Sequence, residues 1–344
     1  MHMLFMLTRK KVFQAGFALV TSTVLFSNSN TVLGQSPRTV KSLCSKKIGR
    51  VYMGDRYFKA GTQLCPGDAI NPANGGTVKV LCYLNGEFLD FKQKTIFDDS
   101  ICAIPQNIVE LCTGINPSRC YISKGPDEDK EVPTLISPYG SSMLSTRPVI
   151  SWYGVPGATS YTVIVKGYEF YWEKTVDKAI TSLPYPQEQK QLQFGNTYKF
   201  TVLANSGDTP ISSSEPLVVS VLPQDEQNRI VQQLKQINEL ELPPDEAAIW
   251  DKDAVYMSRS LLNETIETLK ARATEGSQNP TIYRVLADRY LEAWLPNEAL
   301  REYKKAAQLA KSTNNLEELA RVEEGLRIID FYNHPPTSTK PAQK

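Results

Sequence analysis

Histidine is nearly absent from this chain of 344 residues, which has only His2 and His334. Because both lie close to the ends of the sequence, a His-containing catalytic triad and a His-rich metal site are nearly excluded. The sequence also lacks the Gly-rich patterns of nucleotide-binding loops and the G-x-S-x-G nucleophile elbow. We therefore predict that the protein is not an enzyme and that it holds no cofactor and no metal.

A surplus of charge of one sign is missing as well. Lys and Arg number 38 against 37 Asp and Glu, which gives a formal net charge of +1. Proteins that bind phosphate backbones carry a basic surplus, so nucleic acid is not an expected partner. Long apolar runs are also lacking, since a membrane-spanning helix needs about 20 apolar residues and the stretch 12–26 falls short of that.

The N-terminus has the pattern of a secretory signal. Arg9, Lys10 and Lys11 precede the apolar stretch 12–26, and small or apolar residues stand before position 35. We predict that residues 1–34 are a signal peptide and that the protein is exported, to the periplasm or the extracellular space. The alternative is an uncleaved anchor, and only in that case would the chain contact a membrane.

Cysteine is concentrated in one segment, and its six copies are Cys44, Cys65, Cys82, Cys102, Cys112 and Cys120. In an exported chain this predicts three disulfides, although six cysteines allow 15 pairings and the sequence does not choose among them. No C-x-x-C occurs, which argues against a zinc ribbon or a redox motif. Residues 41–124 are therefore predicted to form a small Cys-rich β domain.

Two strand-like runs in that domain, 77–83 and 87–91, flank Asn85 and Gly86. An Asn-Gly pair between such runs predicts a β-hairpin. Gly61 to Asp68 resembles the FecR-like β domains of exported bacterial proteins. The residues that follow, 125–132, are rich in Asp and Glu and are predicted to be an acidic linker.

Short strand-like runs then recur through residues 133–223, at 149–152, 160–165, 197–203 and 217–222, and this spacing predicts an all-β sandwich. The segments Pro148–Trp152, Pro156–Tyr161 and Leu192–Val202 resemble a fibronectin type III domain, although Phe194 replaces the usual Pro. The resemblance implies that Trp152 lies in the core and that Tyr198 forms the tyrosine corner of that family.

An aromatic run in the same segment has two interpretations. If residues 170–172 form a strand, Phe170 and Trp172 share one face and are buried, whereas Tyr171 lies on the other face. Tyr168 and Tyr171 are then the surface aromatics available to a ligand, and a glycan or a peptide would suit them.

Residues 224–331 are predicted to be helical, beginning with Ile230, Leu234, Ile237 and Leu240 at helical spacing. An internal repeat of about 34 residues follows and resembles the tetratricopeptide repeat. The second copy carries its signature residues, namely Tyr283, Leu286, Ala287, Tyr290, Ala299, Tyr303 and Ala306. The first copy, 246–279, is degenerate, because Asp253 occupies a small-residue position. A capping helix is expected from about Asn315, and residues 332–344 are predicted to be a disordered tail.

The tetratricopeptide resemblance implies a groove that binds a protein or peptide partner. Its candidate residues are Trp250 and Met257 in the first copy, and Arg284, Asp288, Leu291 and Glu292 in the second. The alternative is that so short an array simply packs on the sandwich. We expect an exported modular bacterial protein that acts as a non-enzymatic adaptor. Binding of cell-wall glycan or polysaccharide through the β domains is the alternative function, and a hydrolase with two catalytic carboxylates is a third.

Overall fold

The computed structural model describes Cys44, residues 46–103 and residues 131–333, with side chains as far as Phe331. These residues all belong to one compact unit. The predicted signal peptide, Cys112, Cys120, most of the predicted acidic linker and the predicted tail lie outside the described residues.

The N-terminal β region consists of a four-stranded antiparallel sheet of order β2-β1-β4-β5 and a separate pair, β3-β6. The strands are β1 (Gly49–Met53), β2 (Gln63–Leu64), β3 (Asp68–Ile70), β4 (Val78–Cys82), β5 (Phe88–Phe91) and β6 (Thr95–Phe97). Disulfides join Cys44 to Cys65 and Cys82 to Cys102, which resolves two of the pairings that the sequence left open.

The predicted hairpin is confirmed, since β4 pairs with β5 in antiparallel register. Its loop spans residues 83–87. Gly86 has φ +65°, a left-handed conformation that favours glycine, and its N–H donates to the carbonyl of Cys82 at 2.9 Å. Asn85 accepts the N–H of Glu87 at 3.0 Å, as Asn side chains in turns commonly do.

The middle region is a β sandwich. One sheet has the order β12-β9-β7, and the other has the order β11-β10-β13-β15-β8, with β14 also paired to β13. Its strands are β7 (Thr134–Ser137), β8 (Ser142–Met143), β9 (Ile150–Tyr153), β10 (Ser160–Gly167), β11 (Phe170–Asp177), β12 (Ser182–Leu183), β13 (Thr197–Ser206), β14 (Thr209–Ser213) and β15 (Leu217–Val221). The four runs predicted as strands are β9, β10, β13 and β15.

Two aromatic residues of the sandwich occupy the positions that the fibronectin resemblance implies. Trp152 is buried in the core against the edge of Tyr161, with ring centroids 5.5 Å apart. The hydroxyl of Tyr198, also buried, accepts the backbone N–H of Gln193 at 2.7 Å, which is a tyrosine corner.

The C-terminal region is helical. Its elements are α1 (Gln224–Glu239), α2 (Pro244–Glu246), a π-helix (Ala247–Lys252), α3 (Asp253–Met257), α4 (Leu262–Thr274), α5 (Pro280–Glu292), α6 (Pro296–Ser312) and α7 (Leu316–Asn333). The predicted capping helix is α7, and Asn315 Oδ1 accepts the N–H of Glu318 at 3.1 Å. Helical spacing places Leu316 on its apolar face, but Leu316 is exposed, because that face begins deeper in the helix, with Val322 and Ile329.

Small residues let these helices approach closely. The Ala residues of the second repeat, Ala287, Ala299 and Ala306, are fully buried in the core that α5 and α6 share. Gly325 lies against the Tyr303 ring so tightly that a Cβ there would be 2.2 Å from Tyr303 Cζ. Tyr303 of α6 therefore fills the space that a side chain at Gly325 of α7 would occupy.

The three regions share apolar contacts rather than lying apart. Tyr52 and Leu81 of the N-terminal β region belong to one buried cluster with Ile230 and Ile237 of α1. On the sandwich side, Tyr139 is buried in the core of the helical region. The helices thus contact both the N-terminal β region and the sandwich.

Candidate functional site

The predicted groove face of the first helical pair contacts the chain's own β4–β5 hairpin. The indole of Trp250 stacks on Tyr83, with centroids 5.9 Å apart and an interplanar angle of 21°. The Nζ atom of Lys47 lies 5.3 Å from the Trp250 ring centroid, a cation–π distance. Trp250 is therefore half-buried against the N-terminal β region.

Gly86 brings the hairpin loop into direct contact with α3. A Cβ on Gly86 would lie 2.4 Å from Ser258 Oγ and 2.6 Å from the carbonyl oxygen of Ala254. Beside it, Arg259 donates to Glu87 Oε1 at 2.6 Å, and Gln233 Nε2 donates to the carbonyl of Gly86 at 3.3 Å. The hairpin loop thus occupies part of the face on which the tetratricopeptide resemblance places a partner.

A buried ion pair joins the N-terminal β region to the π-helix. The Nε atom of Arg50, on β1, donates to Asp251 Oδ1 at 3.0 Å, and the Arg50 and Asp251 side chains are 2% and 0% exposed. The hydroxyl of Tyr52 donates to the same oxygen at 2.7 Å. Arg50 also donates to Glu246 Oε1 at 2.6 Å and to the carbonyl of Gly61 at 2.9 Å.

These hydrogen bonds satisfy the buried guanidinium. Burial by itself would lower the pKa of Arg50, but Tyr83, Asp251 and Glu246 raise it above its ordinary value. Arg50 therefore stays charged. Since a buried charge is costly unless it is paired and hydrogen-bonded, the N-terminal β region and the helices depend on each other here.

The π-helix changes which side chains share a face. A π-turn inserts one residue relative to an α-helix, so the helix-A spacing of a tetratricopeptide repeat does not carry over from residue 247 to residue 257. Met257 accordingly packs against the core of the helical region, whereas Trp250 also reaches the N-terminal β region.

The predicted groove residues of α5 form part of a chain of ion pairs. Arg284 donates to Glu318 Oε1 of α7 and to Asp288 Oδ2, both at 2.5 Å. The hydroxyl of Tyr303 donates to Asp288 Oδ1 at 2.5 Å. Leu291 is buried in the helical core.

A second group of ions links α5 to α3. Arg289 donates through Nε and Nη2 to the two carboxylate oxygens of Asp253, at 2.9 and 2.5 Å, and through Nη1 to Glu292 Oε1 at 2.7 Å. Burial raises the pKa of Glu292, and Arg289 opposes that change. Asp253, which is unusual for a repeat at that position, is thus the bidentate partner of Arg289.

Taken together, the ionic residues on this face carry more acid than base. Two arginines, Arg284 and Arg289, face four carboxylates, those of Asp253, Asp288, Glu292 and Glu318. Their side chains are only 7–23% exposed. We call these six residues the ionic face.

The two surface aromatics lie on the sandwich. Tyr168 is 84% exposed in the turn between β10 and β11, and Tyr171 is 56% exposed on β11. Tyr171 donates to Glu173, and Lys166 Nζ lies 5.3 Å from its ring centroid. On the opposite face of β11, Trp172 is buried and donates from Nε1 to the hydroxyl of Tyr185 at 2.9 Å, so burial alternates as the strand period requires.

A cleft of about 710 Å³ lies between the sandwich and α4. Glu264 of α4 accepts the backbone N–H of Leu144 through Oε1 at 2.6 Å. The sandwich and the helices also meet where Tyr139, which lines the cleft, packs edge-on against Tyr290, at 5.9 Å, and where Tyr153 donates to Glu298 at 2.8 Å.

Within residues 46–103 and 131–331, no three His, Cys, Asp or Glu side chains are grouped closely enough to hold a metal ion. The helices of the described residues include none long and apolar enough to cross a membrane. The disulfides in the N-terminal β region are typical of exported proteins.

The sequence interpretation missed Arg50 and Asp251. Arg50 is a single charge between Ile48 and Val51, and that pattern was a usable signal, because a lone charge on a buried face needs a partner. Asp251 stands beside Lys252 and Asp253, so its own sequence context gave no such signal. The identity of the partner, 201 residues away, could be read only from the fold.

The strand order and the tyrosine corner define the middle region as a fibronectin type III-like sandwich. No family model matches the sequence, and no curated protein matches it. Among solved structures, the FN5 domain of Drosophila Lar matches with 16% identity and a TM-score of 0.21, covering 26% of this chain and 95% of that domain.

Two other solved structures show similar values. An Fn3-like protein from Clostridium thermocellum matches with 22% identity and a TM-score of 0.19, covering 26% of this chain and 90% of the other. The FN1–FN3 domains of chicken CNTN1 match with 13% identity and a TM-score of 0.22, covering 48% of this chain and 46% of theirs.

Proposed function

We propose that this chain is an exported, non-enzymatic adaptor whose helices are tetratricopeptide repeats and whose ionic face binds a protein partner. The observation that carries the proposal is the preorganised set of charges on α3, α5 and α7. Each side chain of that set is held in place by at least one ion pair. A rigid set of charges binds a partner without the entropy cost of ordering long side chains.

The excess of carboxylates indicates the chemistry of the partner. With four acids against two arginines, the ionic face favours a segment that carries Lys or Arg. At the C-terminal end of α3, the β4–β5 hairpin already occupies the face around Ser258. We therefore place the partner over α5 and α7 rather than over Trp250 and Met257.

The test is affinity capture of exported proteins by the wild-type chain and by the charge-neutralised double variant Asp288→Asn/Glu292→Gln. The expected result is a captured partner that the double variant loses. The matched control is Glu323→Gln/Glu324→Gln, which removes two exposed carboxylates from α7 and should keep the partner. If all three proteins capture the same partners, or none, the ionic face is not the binding site.

Binding of cell-wall glycan or polysaccharide is the second candidate function, and the exposure of Tyr168 and Tyr171 favours it. Exposed aromatic rings pack on the apolar faces of sugars. Sedimentation with insoluble polysaccharide should then be lost in Tyr168→Ala/Tyr171→Ala and retained in Tyr57→Ala, since Tyr57 is 55% exposed in the N-terminal β region. Equal sedimentation of these variants would exclude this use of the tyrosines.

A further inference from the structure

A row of serine hydroxyls crosses the outer face of the three-stranded sheet. Ser151 on β9 is the cross-strand partner of Ser182 on β12 and of Ser137 on β7. The Oγ atoms of Ser137 and Ser151 are 2.7 Å apart. These three serines form one wall of the cleft of about 710 Å³.

The opposite wall is α4, which presents polar side chains to the same space. Asn263, Glu264, Glu267 and Thr268 lie on this wall, and Tyr256 from α3 adds a phenol. Cavities that bind small molecules commonly measure about 300–1,000 Å³ and form where domains meet. The cleft has that size and that location.

Four charged side chains border the cleft, and their charges balance. Lys270 lies 3.4 Å from Glu267. Arg147 donates to the carbonyls of Pro186 and Gln189, and Glu264 accepts the N–H of Leu144. The cleft therefore offers little net charge to an ionic ligand.

Most of the uncharged polar groups that line the cleft are hydroxyls. A Ser hydroxyl has one donor and two acceptor positions. Ser137 donates to the carbonyl of Val149 at 2.9 Å, so Ser151 donates to Ser137 at 2.7 Å and keeps acceptor positions for a ligand. Ser182 is exposed at the cleft edge. Val149, 49% exposed in the same cleft, adds an apolar contact. Donors and acceptors on the same small groups, next to an apolar patch, match a molecule that carries many hydroxyls on a hydrocarbon frame.

We infer that the cleft between the serine row and α4 binds a neutral saccharide of two or three rings. This site is separate from the ionic face and from Tyr168 and Tyr171, so it does not depend on the proposed adaptor function.

The test is calorimetric titration of the oxidised full chain with neutral disaccharides and trisaccharides such as maltose, cellobiose and maltotriose, and with uronic-acid and amino-sugar disaccharides. The expected result is saturable binding of at least one neutral sugar, at least tenfold tighter than binding of the charged ones. Absence of saturable binding by every neutral sugar at millimolar concentration would overturn the inference, as would tighter binding of a charged sugar.

Variants then locate the site. Ser182→Trp fills the cleft from an exposed position and should abolish binding, whereas Ser213→Trp, on exposed β14 of the other sheet, should leave it unchanged. Ser151→Ala removes one hydroxyl without adding bulk and should weaken binding about three- to tenfold. Thermal melts show that each variant is folded. Equal affinity in Ser182→Trp and wild type would place the sugar elsewhere and contradict the inference.

Discussion

The guanidinium of Arg50 lies 3.0 Å from Asp251, and the two residues are 201 positions apart in the sequence. One belongs to the first strand of the N-terminal β region and the other to the π-helix of the helical region. Because both side chains are buried, their pairing joins two regions that the sequence presents as separate modules.

Removing one partner of this pair should be strongly destabilising. Arg50→Met leaves the Asp251 carboxylate buried without its counter-ion, which costs about 3–5 kcal/mol in the free energy of unfolding. Urea denaturation measures this loss in the free energy of unfolding. The control is Lys46→Met, since the Lys46–Asp99 pair is exposed and should contribute at most about 1 kcal/mol. The double variant Arg50→Met/Asp251→Leu should lose less than Arg50→Met alone. A cost for Arg50→Met as small as that of Lys46→Met would contradict the burial argument.

Gly86 should tolerate no side chain. Gly86→Ala places a Cβ in a left-handed conformation, at a strain of about 1–2 kcal/mol, and within 2.4 Å of Ser258 Oγ. Gly207→Ala is the matched control, because Gly207 has φ +59° but a Cβ there would meet no atom within 4 Å. We expect Gly86→Ala to cost more by about 1–3 kcal/mol, measured by denaturation. Equal costs would mean that the hairpin loop does not press on α3.

The tyrosine corner should contribute measurably to stability. Tyr198→Phe removes the acceptor of the Gln193 N–H and keeps the ring, so we expect a loss of about 1–2 kcal/mol. Tyr168→Phe removes a hydroxyl from a residue that is 84% exposed, and its melting temperature should stay within error of the wild type. If both variants melted together, the corner would carry no stability.

The buried carboxyl of Glu264 predicts a dependence of stability on pH. Burial raises its folded pKa above the ordinary value of 4.5, so the unfolded chain loses this proton at lower pH than the folded one does. Its stabilising contribution is complete below 4.5 and is lost as pH rises through the folded value. Glu264→Gln lacks this loss and keeps an acceptor for the Leu144 N–H.

Denaturation of Glu264→Gln and wild type at a series of pH values measures the effect. The variant should gain stability relative to the wild type as pH rises from about 4 to about 7. A difference between the two proteins that stays constant over this range would show that Glu264 titrates as it does in the unfolded chain.

Local features of the fold could be predicted from the sequence because short-range chemistry specifies them. The Asn85–Gly86 turn and the alternation of Tyr171 and Trp172 each depend on residues within a few positions. Tyr198 was placed by the fibronectin resemblance, and its hydroxyl reaches a backbone group only five positions away. The helical register of residues 247–257 could not be predicted from the sequence, because the π-helix adds a residue and no sequence pattern marks that insertion.

The candidate site was predicted only in part. The exposure of Tyr171 follows from strand alternation, whereas the burial of Leu291 and the ion pairs of Arg284 depend on how α5 meets α3 and α7. The serine row likewise depends on the tertiary structure. Ser137, Ser151 and Ser182 are unremarkable in sequence and become neighbours only through strand pairing.

The sequence by itself determined which parts of this chain are β modules and which are helical modules, through the period of its apolar residues and its turns, both of which act over short distances along the chain. Only the tertiary structure decided which surfaces those modules leave free. It placed the β4–β5 hairpin on α3, paired Arg50 with Asp251 and opened a cleft beside α4. The physical reason is that a buried charge or an apolar face needs a partner, and only folding selects that partner from distant parts of the chain.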